Sequence, residues 1–224
     1  MNRLPGLALV AMTAAAAMLG TTSVYADDDH GARRYAVTVT NITRGQPIAP
    51  PAVIAHNGSY KMFVLGSPGI PELAPLAEDG NGAPLLSVAS SMPGVHRTAL
   101  GGGVILPGAS QTVEIETTSG FSQISVGAML GTTNDGFIAI RGVQAPRRGS
   151  VTVDAEGYDA GTEANSEDCA FIPGPPCGDT LHNPAAPEGY VHVHAGIHIG
   201  GGGLTPAQHD WRNPVAEIEI RRID

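Results

Sequence analysis

Three histidines near the carboxyl-terminal end of the chain have a spacing that suits metal binding. His192, His194 and His198 are separated by even numbers of positions, so a strand that continues to His198 would place all three side chains on one face. Neutral imidazoles on one face are typical ligands of Zn²⁺ or Cu²⁺, and His182, His209 or an acid would supply a further ligand. The alternative is that these histidines face solvent and make ordinary hydrogen bonds.

The segment around these histidines is strongly acidic. Between Arg148 and Arg212 there is no lysine or arginine, whereas five of the 8 histidines of the chain lie there. Like charges without counter-charges destabilise a fold, and a bound cation would compensate them. A solvated acidic loop explains the composition equally well. The acids of the segment are Asp154, Glu156, Asp159, Glu163, Glu167, Asp168, Asp179, Glu188 and Asp210.

The overall composition argues against several classes of function. Twelve basic residues against 21 acidic ones give a net charge of −9, whereas a nucleic-acid-binding protein needs a basic face. Aromatic residues make up 4% of the chain, which disfavours a platform for stacking bases or sugars. The sequence contains no G-x-S-x-G, H-E-x-x-H or P-loop motif, so we expect a protein that is not an enzyme.

The amino-terminal residues have the pattern of a secretory signal peptide. Arg3 precedes an apolar, alanine-rich stretch that ends at Gly20, and Val24-Tyr25-Ala26 is a small-x-small cleavage site. A membrane anchor is the alternative, but the stretch is shorter than the ~20 residues of a spanning helix. We therefore expect a signal peptide over 1–26 and a flexible start over 27–34, with no transmembrane segment in the secreted or periplasmic chain.

The two cysteines agree with export. Cys169 and Cys177 flank a segment rich in proline and glycine. Outside the cytosol, an even pair of cysteines in a loop is typical of a disulfide. A two-cysteine metal site is the competing interpretation, although this spacing matches no zinc pattern. A disulfide between them would fix one loop.

Alternating apolar and polar residues predict short antiparallel strands. The pattern is clear from Tyr35, over 112–117, over 150–154 and over 216–223, and more apolar runs occupy 123–130 and 137–140. Short helices are expected over 71–79 and 84–90. One domain over 35–224 fits this length, and antiparallel strands that face water on one side predict an all-β, two-sheet β-sandwich with long loops.

Several motifs resemble bacterial spondin-domain proteins. The stretch Tyr35 to Thr43 resembles the start of these domains, and Tyr158-Asp-Ala-Gly-Thr-Glu163 closely matches a family loop that reads Tyr-Asp-Ala-Gly-Thr-Asp. Asn134-Asp135-Gly136 sits where the family carries Pro-Asp-Trp, without its proline and tryptophan. The run Tyr190 to His198 is similar to the bacterial branch. The resemblance covers about residues 35–223.

This resemblance implies an extracellular C2-like β-sandwich that binds Ca²⁺ at its loop end. The ligands carried over by position are Asp135, Asp159 and Glu163, where Glu163 replaces an aspartate of the family. Carboxylates from adjacent loops suit this ion. The expected role is adhesion or recognition, with an unknown extracellular protein or glycan as partner. The alternatives are a Zn²⁺ or Cu²⁺ protein or metalloenzyme that uses the histidines named above, and a periplasmic structural module without a ligand.

Overall fold

A computed structural model describes residue 1, residues 31–199 and residues 203–224. The predicted signal peptide, apart from Met1, and residues 27–30 of the predicted flexible start lie outside this range. The described residues form nine strands, three short helices and a 3₁₀ turn at Cys169–Phe171. The strands are β1 (Arg33–Asn41), β2 (Ala52–His56), β3 (Val95–Leu100), β4 (Ser110–Thr117), β5 (Gln123–Met129), β6 (Gly136–Gln144), β7 (Ser150–Asp159), β8 (His192–Val193) and β9 (Ala216–Arg222), and the helices are α1 (Leu73–Asp79), α2 (Ala83–Ser90) and α3 (Pro206–His209).

The strands follow one continuous hydrogen-bonded path, so the predicted two-sheet sandwich is wrong. The order is β3-β2-β5-β6-β7-β9-β1-β4, with every neighbouring pair antiparallel and β8 attached to β7 outside this path. The fold is a single, nearly closed eight-stranded barrel. The all-β, antiparallel part of the prediction is confirmed, as are the few short helices.

Strand β7 is the physical reason for the barrel. Its first part pairs with β9, from Ser150 to Ala155, and its last part pairs with β6, from Glu156 to Asp159. One long strand therefore joins two sets of strands that the alternating pattern alone would assign to separate sheets. The end strands β3 and β4 face each other across the remaining gap, where His96 Nε2 lies 3.6 Å from Glu116 Oε1.

The barrel has two apolar cores because several strands are buried on both faces. Successive side chains of β2 point to opposite faces of the sheet, and all five residues of the strand are buried. Val53 packs inside the barrel with Val37, Val126 and Ile218. The other face of β2 packs beneath the helices, in a second cluster that contains Ile54, Leu73, Leu76, Leu85, Phe137 and Tyr158.

The short helices cover the outer face of the barrel next to these strands. Helix α1 buries Leu73, Leu76 and Ala77 and ends at Gly80. Gly80 has a left-handed φ of 67°, and its N–H donates to the carbonyl of Pro75. No helix among the described residues is long and apolar enough to cross a membrane.

Candidate metal centre

Two aspartates lie side by side where β6 begins and β7 ends. Gly136 and Asp159 are paired across these antiparallel strands, and Asp135 directly precedes β6. The N–H of Ala160 donates to the carbonyl of Asp135 at 3.1 Å, which holds the two strand ends together. Asp135 and Asp159 both have 0% exposure. The fold therefore brings two of the three predicted calcium ligands into one buried site.

The carboxylate of Asp135 is only half satisfied. Its Oδ2 accepts hydrogen bonds from the N–H of Thr162 at 2.7 Å, from the hydroxyl of Thr162 at 3.2 Å and from the N–H of Glu163 at 3.0 Å. Its Oδ1 is buried and has no hydrogen-bond partner in the described structure. A buried oxygen without a donor is costly, and a cation is one group that would satisfy it.

Asp159 belongs to a compact group of three ligand-type side chains. One ligand atom each from Asp159, Glu188 and His192 lies within 4.8 Å of the others. His192 Nε2 is 3.4 Å from Asp159 Oδ1. The amide of Asn165 donates to Asp159 Oδ2 and reaches Glu188 Oε1 at 3.5 Å. These three side chains could hold a metal ion.

His192 presents the correct nitrogen for such a role. Its Nδ1 lies 3.1 Å from its neighbouring carbonyl, that of Val193, so a proton on Nδ1 is held by this hydrogen bond. The lone pair of Nε2 then points toward Asp159. A hydrogen bond on the distal nitrogen is the usual way in which proteins fix a metal-binding imidazole.

Burial sets the electrostatics of the aspartate pair. Removal from water, together with the charge of Asp159, raises the pKa of Asp135 to about 7. Burial also raises the pKa of Asp159, against the hydrogen bond from Asn165 and the charge of His192. In the described part of the chain, no lysine or arginine pairs with Asp159, and His192 would form an ion pair with it only when protonated. The site therefore favours a positive charge.

Glu163, the third predicted calcium ligand, lies in the same loop but uses its carboxylate differently. It is 3% exposed, and its Oε1 accepts a hydrogen bond from the N–H of Asn183. Burial raises its pKa, and the charge of Glu78 adds to this effect. The compact group of three does not include Glu163. Its assignment as a ligand stays a prediction.

The three predicted histidines lie in different surroundings. Strand β8 covers only His192 and Val193, so the expected strand does not extend to His198. His194 is 7% exposed and packs its ring against Trp211 at 4.9 Å, and burial lowers its pKa to about 4. The N–H of His198 donates to Glu167 Oε1. Among the described residues, only His192 joins the compact group.

The predicted disulfide is confirmed. Cys169 and Cys177 are bonded to each other, and their loop contains the buried Ile172. This bond is consistent with an oxidising compartment.

Sequence reasoning did not single out Glu188 and Asn165. Both lie in loops without a periodic pattern, and Glu188 is 25 positions from Glu163 along the chain, counted from the two residue numbers. The only available signal was the run of acids without counter-charges. That signal indicates the region but does not identify which acid approaches Asp159, and Glu188 does so while remaining exposed.

Comparison of the chain with models of protein families and with curated proteins found no match in either set. The resemblance to spondin domains therefore stays a prediction that rests on the motifs quoted above.

Proposed function

We propose that the chain is a secreted, non-catalytic, spondin-like module that binds Ca²⁺ at one end of its barrel. The proposed ligands are Asp135, Asp159 and Glu188. The observation that carries this proposal is the buried Oδ1 of Asp135, which lacks a hydrogen-bond partner beside a second buried aspartate. A divalent cation would satisfy this oxygen and neutralise both carboxylates at once.

Calcium suits these ligands better than most cations. It takes six to eight oxygen ligands and tolerates irregular geometry, so carboxylates from separate loops and water can share the ion. Glu188 replaces Glu163 in the proposed ligand set because its carboxylate belongs to the compact group with Asp159 and His192. Asp135 is outside that group and enters the set through its unpaired Oδ1 and its interaction with Asp159. Glu163 would then support the site through its hydrogen bond to the N–H of Asn183, which anchors the loop that leads to Glu188.

A recognition role is supported by apolar side chains beside this site. Tyr190 lies between Glu188 and His192 in sequence and is 46% exposed. Val64 is 53% exposed. It belongs to a loop in which the N–H of Gly66 donates to the carbonyl of Val191, the residue after Tyr190. Exposed apolar groups on loops are typical of binding surfaces. The partner would be an extracellular protein or glycan.

The second candidate is a transition-metal site. Asp159, Glu188 and His192 form a mixed oxygen and nitrogen ligand set, which suits Zn²⁺ better than Ca²⁺. The observation that favours it is the 3.4 Å distance between His192 Nε2 and Asp159 Oδ1. This candidate differs from the predicted histidine trio because it uses only one of the three imidazoles.

The variant His192→Gln distinguishes the two candidates, with titration calorimetry of Ca²⁺ and Zn²⁺ as the measurement. For a calcium site built on carboxylates, we expect the variant to keep Ca²⁺ affinity within about threefold. The matched control is Asp154→Asn, which removes an exposed acid of β7, the strand that ends at Asp159. This control should change neither the Ca²⁺ affinity nor the Zn²⁺ affinity. Tight Zn²⁺ binding that His192→Gln abolishes, together with no Ca²⁺ binding, would contradict the calcium proposal and establish the alternative.

A further inference from the structure

The loop closed by the disulfide packs directly on the loop that carries Asp135. The N–H of Gly174 donates to the carbonyl of Gly131 at 2.7 Å, and the hydroxyl of Thr132 donates to the carbonyl of Pro175 at 2.9 Å. Thr132 and Gly174 are buried at the interface, Thr132 with 0% exposure, and Gly131 is partly buried. Two loops that are far apart in sequence therefore share a backbone interface.

This interface leaves no room for a side chain at its centre. A Cβ atom on Gly174 would lie 2.1 Å from the carbonyl oxygen of Gly131, far inside contact distance. The partner backbone is itself fixed, because the N–H of Gly131 donates to the carbonyl of Pro47 at 2.8 Å. The backbone at Gly131 therefore fixes the position of the disulfide loop.

Asn134 extends the same interface to the residue before Asp135. It is 2% exposed, and its side-chain amide donates to the carbonyl of Phe171 at 3.3 Å and to the hydroxyl of Ser166 at 3.4 Å. Its Oδ1 accepts the N–H of Glu167 at 3.2 Å. The side chain next to Asp135 is therefore held by residues on both sides of the start of the disulfide loop.

We propose that the Cys169–Cys177 disulfide positions Asp135 and makes metal binding sensitive to redox conditions. A dithiol reductant would supply two electrons and two protons, cleave the S–S bond to two thiols and itself become a cyclic disulfide. The freed loop would no longer keep its hydrogen bonds to the 131–134 segment, such as that from Gly174 to Gly131. The carboxylate of Asp135 would then no longer be held in one position. Both cysteines are partly exposed, so a reductant has access to the bond. This inference rests on the proposed function.

The affinity measurement compares oxidised protein, protein reduced with dithiothreitol, and the double variant Cys169→Ala/Cys177→Ala. We expect reduction to weaken Ca²⁺ binding by about tenfold, the range seen when groups that orient metal ligands are lost. The double variant should bind as weakly as the reduced protein and should not respond to the reductant. Equal Ca²⁺ affinity of the oxidised and reduced proteins, both folded, would overturn the proposal.

A second readout needs no metal, and it separates this proposal from the calcium proposal. The N–H groups of Thr162 and Glu163 donate to Asp135 Oδ2, so their hydrogen exchange reports directly on the position of that carboxylate. Reduction should accelerate exchange at these two amides while those of Val37 and Ile218 in the barrel core stay protected. Unchanged exchange at Thr162 and Glu163 would overturn the positioning role, even if the oxidised protein binds no Ca²⁺.

The variant Gly174→Ala tests the same coupling with the disulfide intact, which matters if the reduced protein unfolds. Its Cβ would displace the loop from Gly131, so we expect faster exchange at Thr162 and Glu163. Gly102→Ala is the matched control because a Cβ there meets nothing within 4 Å. Equal exchange in the two variants would contradict the proposal.

Discussion

At the scale of single residues, Asp135 is the most informative side chain of the molecule. One of its oxygens accepts three hydrogen bonds, and the other is buried without a donor. Folding therefore removes a carboxylate from water and compensates only half of it. Such an arrangement is stable enough to persist only if the rest of the fold outweighs its cost, or if a cation completes it.

The variant Asp135→Asn tests this imbalance. The side-chain oxygen of the asparagine can take the place of Oδ2 and keep the hydrogen bonds from Thr162 and Glu163. The amide nitrogen replaces the unpaired Oδ1, and the buried charge is removed. Without metal we expect the free energy of unfolding to rise by roughly 1 kcal/mol, and we expect added Ca²⁺ to stabilise the variant no further. Urea unfolding in EGTA and in Ca²⁺ measures both effects.

The exposed Asp154 supplies the control for this experiment, because Asp154→Asn changes the net charge equally without touching the site. The control should leave stability within about 0.5 kcal/mol in both solutions. If Asp135→Asn were destabilised in EGTA and still responded to Ca²⁺, the unpaired oxygen would not be a metal ligand.

At the scale of elements, His56 links two strands in a way that depends on pH. It is the last residue of β2 and is 1% exposed, with Nε2 2.7 Å from Ser125 Oγ of β5 and Nδ1 2.7 Å from the carbonyl of Asn57. The hydroxyl oxygen of Ser125 also accepts the N–H of Gly142. When Nδ1 donates to the carbonyl of Asn57 and Ser125 donates to Nε2, both ring nitrogens are satisfied with the imidazole neutral.

Burial lowers the pKa of His56 below its ordinary value of 6.5, and the charge of Lys61 contributes. A histidine whose folded pKa is lowered stabilises the fold fully above its unfolded pKa, and this contribution is lost as the pH falls toward the folded pKa. Between about pH 7.5 and about pH 5.5, we therefore expect the native protein to lose up to about 1 kcal/mol more stability than His56→Gln. Urea unfolding at both pH values measures the difference, and an equal loss would show that His56 does not titrate in this window.

The strands show which elements a sequence pattern can predict. Alternation predicted β1 and β4, and Val37, Val113 and Ile115 are indeed buried. Strand β3 was missed because none of its six residues is fully buried, so it carries no alternating pattern. The expected strand around the histidines is only two residues long, and Gly196 there has a φ of 95°, which breaks an extended chain.

At the scale of the whole molecule, the pattern of side chains could not predict the barrel. Inward and outward residues alternate in the same way in a sandwich and in a barrel, and only the pairing of β7 with both β6 and β9 distinguishes them. Likewise, the acid-rich segment indicated the region that contains Asp159 and Glu188, whereas Asp135 was named only through the resemblance to spondin domains. The choice of Glu188 depends on how a long loop folds back, which no local pattern encodes.

The central claim is that the loop end of the barrel holds one divalent cation on Asp135, Asp159 and Glu188. Titration calorimetry of Ca²⁺ into the oxidised chain, beside Asp159→Asn and the control Asp154→Asn, tests it most directly. We expect about one Ca²⁺ per chain in the native protein and the control, with binding lost in Asp159→Asn. No Ca²⁺ binding by the native protein, or binding that survives Asp159→Asn, would contradict the claim.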